Sequence, residues 1–193
     1  ADADANKGTE EKRLISFETE RGVASFPCWL YRPKKAAKPR VILNIHFRYG
    51  LPNTMPPTFR VPVEDILDNG YALLSLAYGD VVNDRLNGDY SDGLAKYFGV
   101  TTDRGPEEWG KIGMWAYGAS RVLDYLLTRA DIDAAHTAVV GHSRLGKTAL
   151  WCAAQDERFW AAASNDSGYG GAATSKHGTG ERVQDFVRVG SWD

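Results

Sequence analysis

Short apolar runs alternate with helical segments from residue 41 onward, and this alternation limits the chain to few folds. The runs at 41–47 (VILNIHF) and 71–76 (YALLSL) are apolar on both faces, which is typical of strands buried inside a sheet. Two further short strands are predicted at 137–140 and 160–164. Helices are predicted at 63–68, in a segment opening at Pro106 and at 145–155. Strands and helices in this order predict an α/β fold, with a mostly parallel sheet and helices on both faces.

Segments outside this alternation predict the rest of the organisation. Residues 1–11 are polar and are expected to form a disordered N-terminal tail. Residues 13–20 and 25–32 flank an Arg-Gly pair and predict a β-hairpin. Residues 78–103 are rich in Gly, Asp and Asn, and predict a long surface loop of the kind that borders a functional cleft. No linker divides the remainder, so 12–193 is expected to be one domain.

Composition excludes several classes of partner. The 193 residues carry a net charge of −2 and no long basic run, so a nucleic-acid partner is not expected. No apolar run reaches 18 residues, so no membrane partner is expected either. Cys28 and Cys152 each lie in an apolar stretch, and this setting favours two buried free thiols over a disulfide.

Residues 139–150 (VVGHSRLGKTAL) allow two functions. The spacing from Gly141 to Gly146, Lys147 and Thr148 matches a phosphate-binding loop, G-x-x-x-x-G-K-[ST]. The same residues also read as a strand that enters a sharp turn and exposes Ser143, which is typical of a serine hydrolase. The hydrolase interpretation is favoured because a phosphate loop normally follows an early strand, whereas at least three predicted strands precede this one.

The sharp turn would provide what a serine nucleophile needs. A serine hydroxyl must be exposed, paired with a base and backed by donors that hold the oxyanion. Gly141 would give the turn its backbone clearance, and the N–H of Arg144 would point at the developing oxyanion. A second N–H is expected near Phe47 or Arg48, after the strand at 41–47. The usual G-x-S-x-G pattern is not met, because Leu145 stands where its second glycine is expected.

The stretch GHSRLGKTALW resembles the G-x-S-R-x-G-K turn of the glucuronoyl esterases, carbohydrate esterase family fifteen, in which glycine also comes one position later. The resemblance covers roughly residues 10–185, and the bacterial branch matches best because fungal members carry cysteine where His142 stands. Further matching segments are NIHFR, GYALLSLAYGD, EWGKIGMWAYGASRVLDYL, QDERF and SNDSGYGGA.

The resemblance implies a serine esterase with an α/β-hydrolase fold. It implies hydrolysis of the ester between 4-O-methyl-glucuronic acid of glucuronoxylan and lignin alcohols, by a monomer that is secreted or periplasmic. Neither a cofactor nor a metal is implied. Carried over by motif, Ser143 is the nucleophile, Arg144 stabilises the oxyanion and Asp166 is the triad acid. Lys147 and Glu181 correspond to residues that contact the sugar.

The triad histidine has no match in the sequence. In α/β-hydrolases it follows the serine and the acid in chain order. His46 and His136 precede the serine, His142 is part of the turn, and His177 lies in a glycine-flanked segment where the family's base is not expected. The chain is therefore expected to be a fragment whose C-terminal strands are missing. Two alternatives stay open: an acetyl xylan esterase or other carboxylesterase, and a non-catalytic carbohydrate-binding remnant.

Overall fold

The strands form a single six-stranded sheet. The computed structural model describes residues 7–47, 61–84, 89–105, 107–174, 182 and 184–185. The strand order in the sheet is β1-β2-β4-β3-β5-β6. The strands are β1 (Gly8–Thr19), β2 (Gly22–Pro33), β3 (Arg40–His46), β4 (Ala72–Ala77), β5 (Asp133–His142) and β6 (Ala161–Asn165).

The sheet is mostly parallel, as predicted. Strands β4, β3, β5 and β6 run parallel, while β2 pairs antiparallel with both β1 and β4. The predicted hairpin is present, but it is longer than predicted. Residues 8–11, which were expected in the disordered tail, belong to β1 and pair with residues 30–33. These polar residues are ordered because β2 supplies backbone partners, which the local sequence does not reveal.

Helices cover both faces of the sheet, which confirms the predicted layering. On one face, α1 packs its buried Val63 and Leu67 against Trp29 and Leu73 of the sheet. On the other face, α4 and α5 pack over the larger core, which includes Leu43 and many other apolar side chains. The helices are α1 (Val63–Asp68), α2 (Tyr78–Val81), α3 (Gly93–Phe98), α4 (Lys111–Leu127) and α5 (Arg144–Gln155).

The segment 78–103, predicted as one long loop, contains α2 and α3. Its glycines led to the loop prediction, although one of them ends a helix: Gly99 caps α3 with φ 68°, a left-handed conformation that favours glycine. The helix predicted to open at Pro106 begins instead at Lys111; Pro106 lies outside the described residues.

Both cysteines are buried free thiols, as predicted. Burial raises the pKa of Cys28 and of Cys152 to about 12, so both stay protonated at neutral pH and neither is a ready nucleophile. In the part of the chain that the structure describes, no helix has the length and apolarity needed to cross a membrane.

Candidate active site

Ser143 occupies the turn between β5 and α5, at the carboxyl edge of the parallel strands. Its backbone has φ 57° and ψ −125°, a conformation that is strained for any residue except glycine. The N–H of Ser143 donates to the carbonyl oxygen of Asn165 at 2.9 Å, which ties the turn to the end of the neighbouring strand β6. Strained backbone of this kind is typical of a serine presented as a nucleophile at the top of a sheet.

Two glycines allow the turn to close. A Cβ atom at Gly141 would lie 2.1 Å from the carbonyl oxygen of Leu145, which is far inside contact distance. A Cβ atom at Gly146 would lie 3.0 Å from the Cβ of Ser167 and 3.1 Å from the carbonyl oxygen of Asn165. Leu145 itself is fully buried in the core. The second glycine is therefore needed at position 146, where α5 crosses the end of β6, and position 145 is free to pack.

The same closure rules out the phosphate-loop interpretation. A phosphate cradle needs successive backbone N–H groups that face open space. Here the N–H groups of Gly146 and Lys147 both donate to the carbonyl oxygen of Ser143, at 2.9 and 3.2 Å. Inside the turn, the Cβ position of Gly141 lies only 2.1 Å from the carbonyl oxygen of Leu145, so backbone rather than open space adjoins it.

Arg144 is the first residue of α5 and points its side chain toward the residues that follow β3 and α2. Its guanidinium forms an ion pair with Asp84 and lies over the ring of Phe47, 5.6 Å from the ring centre. Because the first N–H groups of a helix have no partner within the helix, the backbone N–H of Arg144 suits the predicted oxyanion role. Sequence reasoning missed Asp84, which lies in the segment interpreted as a surface loop.

Lys147 lies one turn into α5 and is partly buried. Its Nζ donates to the carbonyl oxygen of Ser167 at 2.6 Å. That contact places the ammonium over the turn that follows β6, on the same edge of the sheet as Ser143. The position suits the predicted sugar contact, since Ser143 is the N-cap of α5 and Lys147 lies in the first turn of the same helix.

Asp166 directly follows β6 and is exposed, with φ 46°. Because β5 and β6 are adjacent parallel strands, the residues that follow them meet at one edge of the sheet. The hydrogen bond from Ser143 to Asn165 brings the two segments together at this point. The structure thus brings together the turns that carry Ser143, Arg144 and Asp166.

The described histidines have hydrogen-bond partners other than Ser143. His46 is buried and places its Nε2 2.8 Å from the Ser75 hydroxyl, while its Nδ1 faces the backbone oxygen of Phe47. This pairing makes it a structural link between β3 and β4. The Nδ1 of His136 lies 2.7 Å from Asp133, and that of His142 lies 3.1 Å from the Asn165 amide.

Several predicted site residues lie outside the described residues. They are Arg48, His177 and Glu181. Elsewhere, a groove with a volume of about 780 Å³ runs between α4 and α5 and is bordered by the exposed Trp109 and Trp151. Ser143 and Arg144 do not line this groove, so it is separate from the candidate active site.

The fold and the turn together define a class of protein. A mostly parallel sheet covered by helices, with a strained serine between a central strand and the next helix, is the arrangement of an α/β-hydrolase. A family model described as glucuronyl esterase, fungi, matches residues 19–187. The chain belongs to the glucuronyl esterase family.

Individual relatives agree with this assignment. Carbohydrate esterase MZ0003, from an unknown prokaryotic organism, is 42% identical over 127 residues, which are 65% of this chain and 29% of that protein. The 4-O-methyl-glucuronoyl methylesterase of Podospora anserina is 36% identical over 88 residues, 42% of this chain and 18% of that protein. A solved glucuronoyl esterase from Solibacter usitatus superposes with a TM-score of 0.71 and 31% identity, covering 95% of this chain and 59% of that one. The chain thus spans little more than half of the solved neighbour, and less than a third of either curated relative.

Proposed function

We propose that this chain supplies the nucleophile, Ser143, of a serine esterase that hydrolyses esters of 4-O-methyl-glucuronic acid, including those that join glucuronoxylan to lignin alcohols. The observation that carries the proposal is the strained Ser143 backbone, with φ 57°, at the start of a helix whose first residue is an arginine. Membership of the glucuronyl esterase family and the printed name of the Podospora relative support the substrate class.

The residues at the turn fit the two steps of ester hydrolysis. The Ser143 hydroxyl oxygen attacks the ester carbonyl carbon and gives up its proton to a base, and negative charge develops on the carbonyl oxygen. Arg144 stabilises that charge through its backbone N–H and its guanidinium, each of which acts in a partly dry site. The alcohol then leaves with a proton, and water hydrolyses the acyl-enzyme to free glucuronic acid and regenerate Ser143.

The remaining roles are assigned to residues around this turn. Asp166 would orient the base, because it follows the strand next to that of Ser143. The base itself is assigned to a histidine outside the described residues, since His46, His136 and His142 have other partners. Lys147 and Glu181 would contact sugar hydroxyls or the uronate. Because glucuronoxylan is an extracellular polymer, a secreted or periplasmic enzyme is proposed.

A Ser143→Ala substitution tests this function in the longest natural protein that contains this sequence. We expect kcat on the methyl ester of 4-O-methyl-glucuronate to fall by about 10⁴-fold or more, because only the oxyanion donors and substrate binding would remain. A Ser16→Ala variant, which alters an exposed serine of β1, is the matched control and should keep full activity. Steady-state kinetics on the methyl ester and on an acetylated xylan should be compared for both variants.

The outcomes separate the competing functions. Loss of methyl-ester hydrolysis in Ser143→Ala alone supports the glucuronate esterase. Turnover of acetyl esters in preference to glucuronate esters would favour an acetyl xylan esterase. Binding of glucuronoxylan without turnover of either ester would leave a carbohydrate-binding protein. Near-normal hydrolysis by Ser143→Ala would overturn the serine mechanism.

A further inference from the structure

We propose that Asp84 is a positioning residue for Arg144, holding the guanidinium beside the carbonyl oxygen that Ser143 attacks. The inference rests on the proposed function, because it assumes that Arg144 stabilises the oxyanion. Asp84 lies 60 positions before Arg144 in the chain, and the two side chains form a direct ion pair. The pair therefore joins the segment after α2 to the start of α5.

The two partners differ in burial. The Asp84 side chain is 3% exposed, whereas that of Arg144 is 20% exposed. The carboxylate is thus the more buried partner, and part of the arginine side chain reaches solvent. Phe47 covers the guanidinium from another direction, with 5.6 Å between the charged carbon and the ring centre. A planar cation held by a carboxylate and an aromatic face has few orientations left.

The three residues that precede Asp84, Val81 to Asn83, each have a backbone contact that fixes the chain. The indole N–H of Trp115, a buried residue of α4, donates to the carbonyl oxygen of Val82 at 2.9 Å. The N–H of Asn83 donates to the carboxylate of Asp92 at 3.1 Å. Next to Asp92, a Cβ atom at Gly93 would lie 2.2 Å from the carbonyl oxygen of Val81, so the two segments are in close contact. Asp84 is therefore mounted on a rigid support.

Stability alone is a weak reason for such a pair. A buried ion pair often contributes little net stability, because desolvating both charges offsets their attraction. A free arginine side chain, by contrast, samples many rotamers, and a displacement of about 1 Å in an active site can lower the rate about 10²-fold. The fixed backbone before Asp84 is expected if the carboxylate keeps Arg144 in one orientation before substrate binds.

A double-mutant cycle on the methyl glucuronate ester tests the proposal in the same protein as the Ser143→Ala variant. Asp84→Asn keeps the shape of the side chain and removes its charge, so kcat should fall at least about tenfold with little change in KM, since the arginine acts in the transition state. In an Arg144→Ala background, the same substitution should change kcat by less than about twofold, because the residue through which it acts is gone. If the loss of kcat in the double variant equals the product of the losses in Asp84→Asn and Arg144→Ala, the two residues act independently and the proposal is overturned.

Controls separate positioning from general damage. Asp124→Asn removes the charge from an exposed ion-paired aspartate of α4, which bonds Arg158 at 2.8 Å, and should leave kcat unchanged. Asp84→Glu restores the charge and should recover part of the rate lost in Asp84→Asn; no recovery counts against the proposal. If Asp84→Asn does not fold, methylguanidinium added to Arg144→Ala provides the test, because an intact Asp84 should bind it and raise kcat saturably. No rescue would overturn positioning by Asp84.

The result for Ser143→Ala keeps the two proposals distinct. If that variant is inactive and Asp84→Asn is fully active, only the positioning role fails. If Ser143→Ala retains activity, the serine mechanism fails, and the positioning role of Asp84 fails with it because it assumes that mechanism.

Discussion

Gly141 and Gly146 determine where Ser143 stands, although neither touches substrate in the proposed reaction. Each glycine lies where a neighbouring backbone carbonyl would meet a Cβ atom, at 2.1 Å for Gly141 and 3.1 Å for Gly146. The turn between them holds Ser143 in a strained backbone conformation with positive φ, which the surrounding packing maintains. The first glycine could be predicted from the nucleophile motif. The second matched only the glucuronoyl esterase turn, and its physical reason could not be predicted locally, because it comes from Ser167 and Asn165, which follow it by about twenty positions.

Gly146→Ala should therefore destabilise the protein, and Gly113→Ala should not. Both glycines are the third residue of a helix, so the gain in helix propensity from alanine is similar, at most about 1 kcal/mol. Gly113 has open space around its missing Cβ, so Gly113→Ala should raise Tm by about 1–3 °C. At Gly146 two carbonyl oxygens and a side chain would be crowded, and overpacking of this kind costs about 1–3 kcal/mol. Thermal unfolding should show a higher Tm for Gly113→Ala and a lower Tm for Gly146→Ala. An equal rise in Tm for both variants would contradict the packing argument.

At the scale of secondary-structure elements, Arg129 connects the antiparallel edge of the sheet to the helical layer. Its guanidinium bonds Glu11 of β1 at 3.0 Å, the Tyr125 hydroxyl of α4 at 2.6 Å and Asp131 at 2.7 Å. Arg32 of β2 also pairs with Asp131 at 2.7 Å. These contacts span up to 118 positions, so the order of residues 8–11 depends on partners that a local reading of a polar N-terminal segment does not include.

Arg129→Met should lower the free energy of unfolding by about 1 kcal/mol at pH 7, a modest value because the network is partly exposed and screened. The hydrogen bond from Arg129 lowers the pKa of Asp131 to about 2, and the same arginine lowers that of Glu11. A depressed carboxyl pKa stabilises the fold above the unfolded value, near 4, and this stabilisation is lost as the pH falls through about 2. The deficit of Arg129→Met should therefore shrink between pH 5 and pH 2.5.

Urea unfolding of both proteins across that pH range measures the deficit. Arg40→Met is the control, since the exposed Arg40 makes a longer ion pair, 3.9 Å, with Asp133, and this variant should differ from the parent by less than about 0.5 kcal/mol throughout. A deficit for Arg129→Met that stays constant with pH would show that lost packing, rather than charge, is responsible.

At the scale of the whole molecule, sequence predicted the layers and the turn but not the relations between distant segments. Apolar runs such as 41–47 predict buried strands directly, because a strand covered on both faces is mostly apolar. The segment 78–103 was misread, since its glycines and acids have the composition of a loop while α2 and α3 gain their stability from packing. Asp84 was missed for the same reason: an acid in a polar stretch gives no local sign that Arg144 buries it.

The catalytic base is the part of the proposed site that the described residues do not supply. The described histidines are paired with Ser75, Asp133 and Asn165, and the chain covers 59% of its solved neighbour from Solibacter usitatus. We therefore expect the 193-residue chain to hydrolyse the methyl glucuronate ester about 10²–10⁴-fold more slowly than a glucuronoyl esterase with a complete triad. This is the usual contribution of a general base that takes the serine proton during attack.

Kinetics of the 193-residue chain should be measured beside its His177→Ala and His142→Ala variants, with cooperative thermal unfolding used to show that each is folded. His177 follows both Ser143 and Asp166 in chain order, which is the order of an α/β-hydrolase triad. His142 is the control because its ring already faces the Asn165 amide. Equally weak activity in all three would place the base outside this chain. Robust activity that is lost in His177→Ala alone would assign the base to His177 and complete the triad within these 193 residues.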